Sequence, residues 1–281
     1  MRKLMEKKNS ISESEIIESL KRSGYLLESE ISKVLNELGF FVETNQVIKD
    51  PLTTKSREID ILAEYYNYDP EKANNNIATK IKFVFEVKNN SFPVVLLTNF
   101  QNSPNTEIWS YYKVGQTGNY SDNYDFQTNF HDYLLDFEKT KDTVFTQYCS
   151  FQRKKQSDEL MASHSEELYS GLSKITQYCE ESASRWQNYD VEDDYFRNFL
   201  YLPVVILKDD LYQLTIAEKN TPQLHKVDES TIIFNYHHNG FPESAIVYFV
   251  TKKGLLPFLQ KMLEVEDKIA AAMLQKKKTG T

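Results

Sequence analysis

The sequence predicts one α/β domain in which a mixed β-sheet carries helices on both faces. Three observations predict it. An amphipathic helical pattern runs straight into three strand patterns, a long helical stretch follows an irregular middle, and further buried strand patterns lead into a closing helix. With 281 residues, the chain is long enough to bury a sizeable core.

Residues 1–23 are polar and read as a loose helical lead-in, with N-cap candidates in the stretch SESE. The domain proper is expected over 24–274, with 275–281 as a solvated tail. In GYLLESEISKVLNELGFF, Leu27, Ile31, Val34, Leu35 and Leu38 share one helical face and Gly39 ends the helix. On a helical wheel Glu28 falls at the edge of that apolar face, turned toward whatever the helix packs upon.

Three strands should follow. The first covers 41–48 and leads into a turn at Asp50-Pro51. The second, REIDILA at 57–63, puts Glu58 and Asp60 on one face and Ile59 and Ile61 on the other. The third, over 81–88, turns Ile81, Phe83, Phe85 and Val87 one way and Glu86 and Lys88 the other. The Asn-, Asp- and Pro-bearing segment NYDPEKANNNIATK reads as a long connection between the last two.

Residues 98–130 show no sustained period and read as an irregular insertion reaching to about 150. Residues 155–188 read as helix. YLPVVILKDDLYQLTI then reads as a buried strand, a tight turn at 208–210 and a return strand. SAIVYFV is another buried strand, feeding a helix over about 255–273.

Composition excludes several classes. Apolar residues at 40% and aromatics at 13% suffice for a core, which argues against global disorder. A net charge of −8 argues against broad, nonspecific polyanion binding while leaving room for a local basic groove. Cys149 and Cys179 are the only cysteines, and neither a disulfide framework nor a metal-type spacing with the five histidines is indicated. The N-terminal MRKLMEKKNS lacks the apolar run of a signal peptide, and no window approaches a membrane span. A cytoplasmic protein without membrane contact is expected.

The chemistry centres on FVFEVKNN. Acid-x-Lys triplets occur at Glu6-Lys8, Glu86-Lys88 and Glu266-Lys268, and only the middle one lies on an apolar strand. If the second and third strands are antiparallel neighbours, Asp60 and Glu86 converge. Two carboxylates that close repel, and a divalent cation removes the conflict. Hard oxygen ligands suit magnesium, with manganese as its substitute. Lys88 adds positive charge on the same face. Such a site is equipped for phosphodiester hydrolysis. The competing reading of the same residues is an ordinary salt bridge stabilising by about 0–1 kcal/mol.

Taken in order, GYLLESEISKVLNELGF, REIDILA and FVFEVKNN resemble the PD-(D/E)XK nuclease superfamily, in its Mrr-type and Holliday-junction-resolvase-like flavour. The resemblance implies a restriction-endonuclease-like fold with an αβββαβ core. It implies Asp60 and Glu86 as metal ligands, assisted by the main-chain carbonyl of Val87, and Lys88 as the residue that positions the attacking water. Glu28, eleven residues before Gly39, matches the helix glutamate that supports the metal site. The chain departs from the pattern in having Ile59 before the aspartate and a lengthened separation between Asp60 and Glu86. The specific motifs cover about a quarter of the chain, roughly 24–90.

The function implied is a magnesium-dependent nuclease acting on nucleic acid, DNA above RNA, in restriction, repair or defence, working as a homodimer or with a defence-complex partner. The competing reading is a catalytically silent module of the same fold, favoured by the acidic balance and by six Arg against twenty-seven Lys. Further residues have weaker readings. Lys174 and Gln177 could approach the site but read by default as an exposed helical face. Glu58 could support Asp60, Arg153-Lys154-Lys155 could touch phosphates, and the tyrosine-rich insertion could stack unpaired bases.

Overall fold

The computed structural model describes residues 11–49, 55–66, 69–99, 111–117, 144–187 and 196–279. Helix α1 (Glu13–Ser23) starts at Ser12, whose hydroxyl accepts from the Glu15 N–H while the Glu15 carboxylate accepts from the Ser12 N–H. It ends at Gly24, where φ of +94° closes one helix and opens α2 (Tyr25–Glu37). The antiparallel strands β1 (Phe40–Lys49), β2 (Ser56–Tyr65) and β3 (Ile77–Lys88) follow as a meander, with α3 (Pro70–Asn74) between the last two.

β4 (Val94–Asn99), β5 (Lys113–Thr117), β6 (Val144–Arg153) and β7 (Leu160–Ser163) come next, then α4 (Glu166–Gln187). The long β8 (Phe196–Leu207) is followed by β9 (Leu211–Ala217), β10 (Thr221–Val227), β11 (Glu229–His238) and β12 (Phe241–Thr251). Helix α5 (Leu255–Thr279) closes the chain. Among the described residues all twelve strands join one mixed sheet in the order β1-β2-β3-β8-β12-β11-β6-β4-β9-β10, with β5 beside β8 and β7 beside β6.

The sheet centres on β3 and β8, which run parallel from Ile77↔Phe196 to Lys88↔Leu207. Parallel neighbours need a crossover, and α4 lies in it. On its far edge β8 pairs with β5 through residue 201 and with β12 from Val204 onward. Pro203, which has no N–H to give, falls between the two partners.

Each face of the sheet carries its own core. One is formed by Phe83, Phe85 and Val87 of β3 with Leu27, Ile31 and Leu35 of α2 and Phe258, Met262 and Ile269 of α5. The other places Val84 and Val205 against Leu172, Ile175 and Cys179 of α4. Helices on both faces agree with the expectation from sequence.

Several elements differ from it. The expected irregular segment 98–150 contains strands β5 and β6; the remainder, 100–110 and 118–143, lies outside the described residues. The helix expected over 155–188 is preceded by a turn and by β7. β9 does not return along β8, because both of that strand's edges are taken; it pairs with β4 and β10 instead. The closing helix continues to Thr279. No described helix is long and apolar enough to cross a membrane.

Candidate active site

The β2–β3 ladder runs from Glu64↔Lys82 to Ile61↔Phe85 and stops there. Beyond that rung the strands part, and a free peptide N–H on β3 needs a new acceptor. Asp60 supplies it: Val87 N–H donates to Asp60 Oδ2 at 2.8 Å. The far end of the ladder is closed in the same way, by Glu266 of α5 accepting from Ile81 N–H at 2.7 Å. Glu266 itself is buried.

A backbone irregularity accompanies Asp60. On β1, Asn45 adopts the left-handed conformation with φ of +56°, and the rung between Thr44↔Ile61 and Gln46↔Ile59 is missing. The strict alternation expected for REIDILA breaks at this point. Ile61 packs in the core beneath α2 and α5, whereas Ile59 joins the core beneath α4.

Glu86 is 4% exposed. Its Oε1 lies 2.8 Å from Lys88 Nζ and its Oε2 lies 2.5 Å from Lys174 Nζ. Lys174 also donates to Asp60 Oδ1 at 3.0 Å, so one ammonium bridges the two carboxylates. One helical turn before it, Gly171 leaves the space that the Glu86 carboxylate fills. Lys88 also lies 3.6 Å from the exposed Glu167.

The electrostatics follow from this crowding. Burial, then the Glu86 carboxylate, push the Asp60 pKa above the ordinary value, against the pull of Lys174 and the Val87 N–H. Burial alone would depress Lys174, but Glu86 and Asp60 outweigh it and hold its pKa up. Glu28 is raised by burial, then by Asp60 and Glu86. Its carboxylate, Asp60, Glu86 and Lys88 line a single cleft of about 520 Å³, together with Arg22 of α1.

Sequence reading thus places Asp60, Glu86 and Lys88 in one cluster and Glu28 at its rim. It missed Lys174, whose default reading was an exposed helical face; α4 turns that residue into the carboxylate pair instead. Gln177 is also buried rather than exposed, but points elsewhere, donating to Ser173 Oγ and His237 O. Glu58 is exposed. Arg153 and Lys154 are paired with Asp158 and Glu159 in the β6–β7 turn, which leaves them engaged locally. Tyr112 of the tyrosine-rich stretch is a core residue, and 118–143 lies outside the described residues. Gly171 was also missed, and no periodicity could have marked it.

The donor set fits a small hard cation. Two carboxylates already reach one positive point, and Val87 presents its peptide on the same strand edge, where N–H and C=O of one residue leave together. Among the described residues no three acidic, imidazole or thiol side chains are grouped so as to hold a metal ion between them. Magnesium asks for less: one or two carboxylates, with water and substrate phosphate completing its shell.

Searches against protein-family models, curated proteins and solved structures return no match for this chain.

Proposed function

We propose that the chain is a metal-dependent nuclease of restriction-endonuclease-like fold, hydrolysing phosphodiester bonds of DNA. The observation that carries the reading is the convergence of Asp60 and Glu86, from adjacent strands, on a single cation, with the Lys88 ammonium on the second oxygen of Glu86. Support for the fold comes from helix α2, the meander β1-β2-β3, the crossover helix α4 and the parallel β8, which follow an αβββαβ order with strands β4–β7 inserted before α4.

Asp60, Glu86 and the Val87 carbonyl would hold magnesium or manganese, which would supply positive charge against a phosphodiester oxygen and make a bound water more acidic. The chain's own residues do the rest. The Val87 N–H fixes the Asp60 carboxylate in one orientation. Gly171 gives Glu86 the room to reach into the cleft. Lys88, whose ammonium lies 2.8 Å from Glu86 Oε1, would steady negative charge developing beside that carboxylate. Glu28 stands at the rim, where a carboxylate can hold a water by hydrogen bond.

A second reading, a silent module that binds nucleic acid or a protein partner, has a structural observation in its favour: Lys174 and Lys88 together already balance the charge of the carboxylate pair. Incubating the purified protein with plasmid, linear and single-stranded DNA and with RNA separates the two. The nuclease reading expects cleavage with Mg²⁺ or Mn²⁺ that EDTA abolishes. No cleavage of any form with either ion favours the silent module.

A further inference from the structure

Lys174 occupies the place that the proposed metal needs. Its Nζ lies 3.0 Å from Asp60 Oδ1 and 2.5 Å from Glu86 Oε2, and its side chain is 10% exposed. A magnesium ion bound by both carboxylates would sit about 2.0–2.1 Å from its oxygens, and the two oxygens not already held by the Val87 N–H and by Lys88 are the ones that Lys174 bridges. Both cations cannot fit there, and at that separation their charges repel.

We propose that Lys174 is a resident cation that holds the carboxylate pair together in the metal-free protein and must swing out for a divalent ion to enter. This inference rests on the metal-site reading above and concerns its regulation. The residue is built for such an exchange. An ammonium on a flexible four-carbon stem can leave a site without moving its helix. The other cation of the cluster, Lys88, is bound to the opposite oxygen of Glu86 and leaves the bridging position clear.

The consequence is a metal affinity set by competition. Without Lys174, the carboxylates repel each other in the metal-free state and bind a divalent ion more tightly. With it, the site stays neutralised until the ion concentration is high enough to displace the lysine.

Titration of Mn²⁺ alone, followed by the loss of its free-ion paramagnetic resonance signal, tests this on the full chain. Lys174→Met should bind Mn²⁺ about tenfold or more tightly than the wild type, the scale on which neighbouring groups tune metal sites. Lys174→Arg, which keeps the charge, should bind no more tightly than the wild type. Equal or weaker binding by Lys174→Met overturns the competition and leaves the metal site standing. Absence of binding by every form overturns both.

A second measurement needs no substitution. Acetylation of the wild type by an amine-reactive reagent, read by peptide mass spectrometry, should reach Lys174 several-fold faster with saturating Mn²⁺ than with EDTA. The exposed Lys33 should not change. Equal Lys174 reactivity in the two conditions overturns the proposal.

Discussion

Gly171 and Glu86 are fitted to each other across the interface of α4 and β3. A Cβ added at Gly171 would lie 2.6 Å from Glu86 Oε1 and 2.8 Å from its Cδ. In an open helix interior, replacing glycine by alanine gains about 0.5–1 kcal/mol. Here the methyl group takes the carboxylate's place. Gly171→Ala should therefore fold with a stability within about 2 kcal/mol of the wild type, yet lose Mn²⁺ affinity and cleavage. Wild-type metal binding in this variant would show that the carboxylate has another route into the cleft.

Glu266 gives a pH signature distinct from the usual acid unfolding. Burial raises its pKa above the ordinary 4.5, against the opposing effects of Lys80 and the Ile81 N–H. Between the ordinary and the raised value the folded chain keeps a proton that the unfolded chain has lost, so stability falls as pH rises through that window. Glu266→Gln has no proton to lose. Denaturant unfolding at a series of pH values should show the wild type losing stability relative to Glu266→Gln on going from about pH 4 to 7. A constant difference would contradict the raised pKa.

Asn89, the residue after Lys88, ties α1 to the cleft. Its amide donates to the carbonyls of Lys21 and Arg22, each at 2.9 Å, at the end of a helix in which no residue is buried. Asn89→Ala should cost about 1 kcal/mol and speed hydrogen exchange in α1 ahead of the sheet. Unchanged exchange there would mean that the Ser12 cap alone holds the helix.

Phe85 tests the central layer. It is fully buried on β3, stacked against Phe83 with ring centroids 5.6 Å apart. Phe85→Ala should lower unfolding free energy by about 3–5 kcal/mol in denaturant titration. A loss under 1 kcal/mol would place the folding core elsewhere in the sheet.

What was legible in the sequence is what alternation and helical periodicity record. Leu27, Ile31 and Leu35 marked α2, and Phe83, Phe85 and Val87 marked β3, because each periodic row packs into one core. Strand β10 left no such record: its residues are exposed apart from Val227, and it is held by pairing with β9 rather than by a buried face. Within the site, Asp60, Glu86 and Lys88 were readable because they interrupt apolar strands. Lys174 was not, since which face of α4 meets the sheet depends on how that helix docks. Asn45 and Gly171 act through backbone conformation and empty space, which residue type alone does not reveal.

The central claim is that Asp60, Glu86 and Lys88 form a hydrolytic metal site rather than a neutral ion-pair cluster. Its most direct test compares cleavage of end-labelled DNA in Mg²⁺ by the wild type, Asp60→Asn and Lys88→Met, each prepared identically. The account predicts cleavage by the wild type and a loss of about a hundredfold or more in both variants. Cleavage by Lys88→Met at the wild-type rate, or none by the wild type in Mg²⁺ or Mn²⁺, would contradict it.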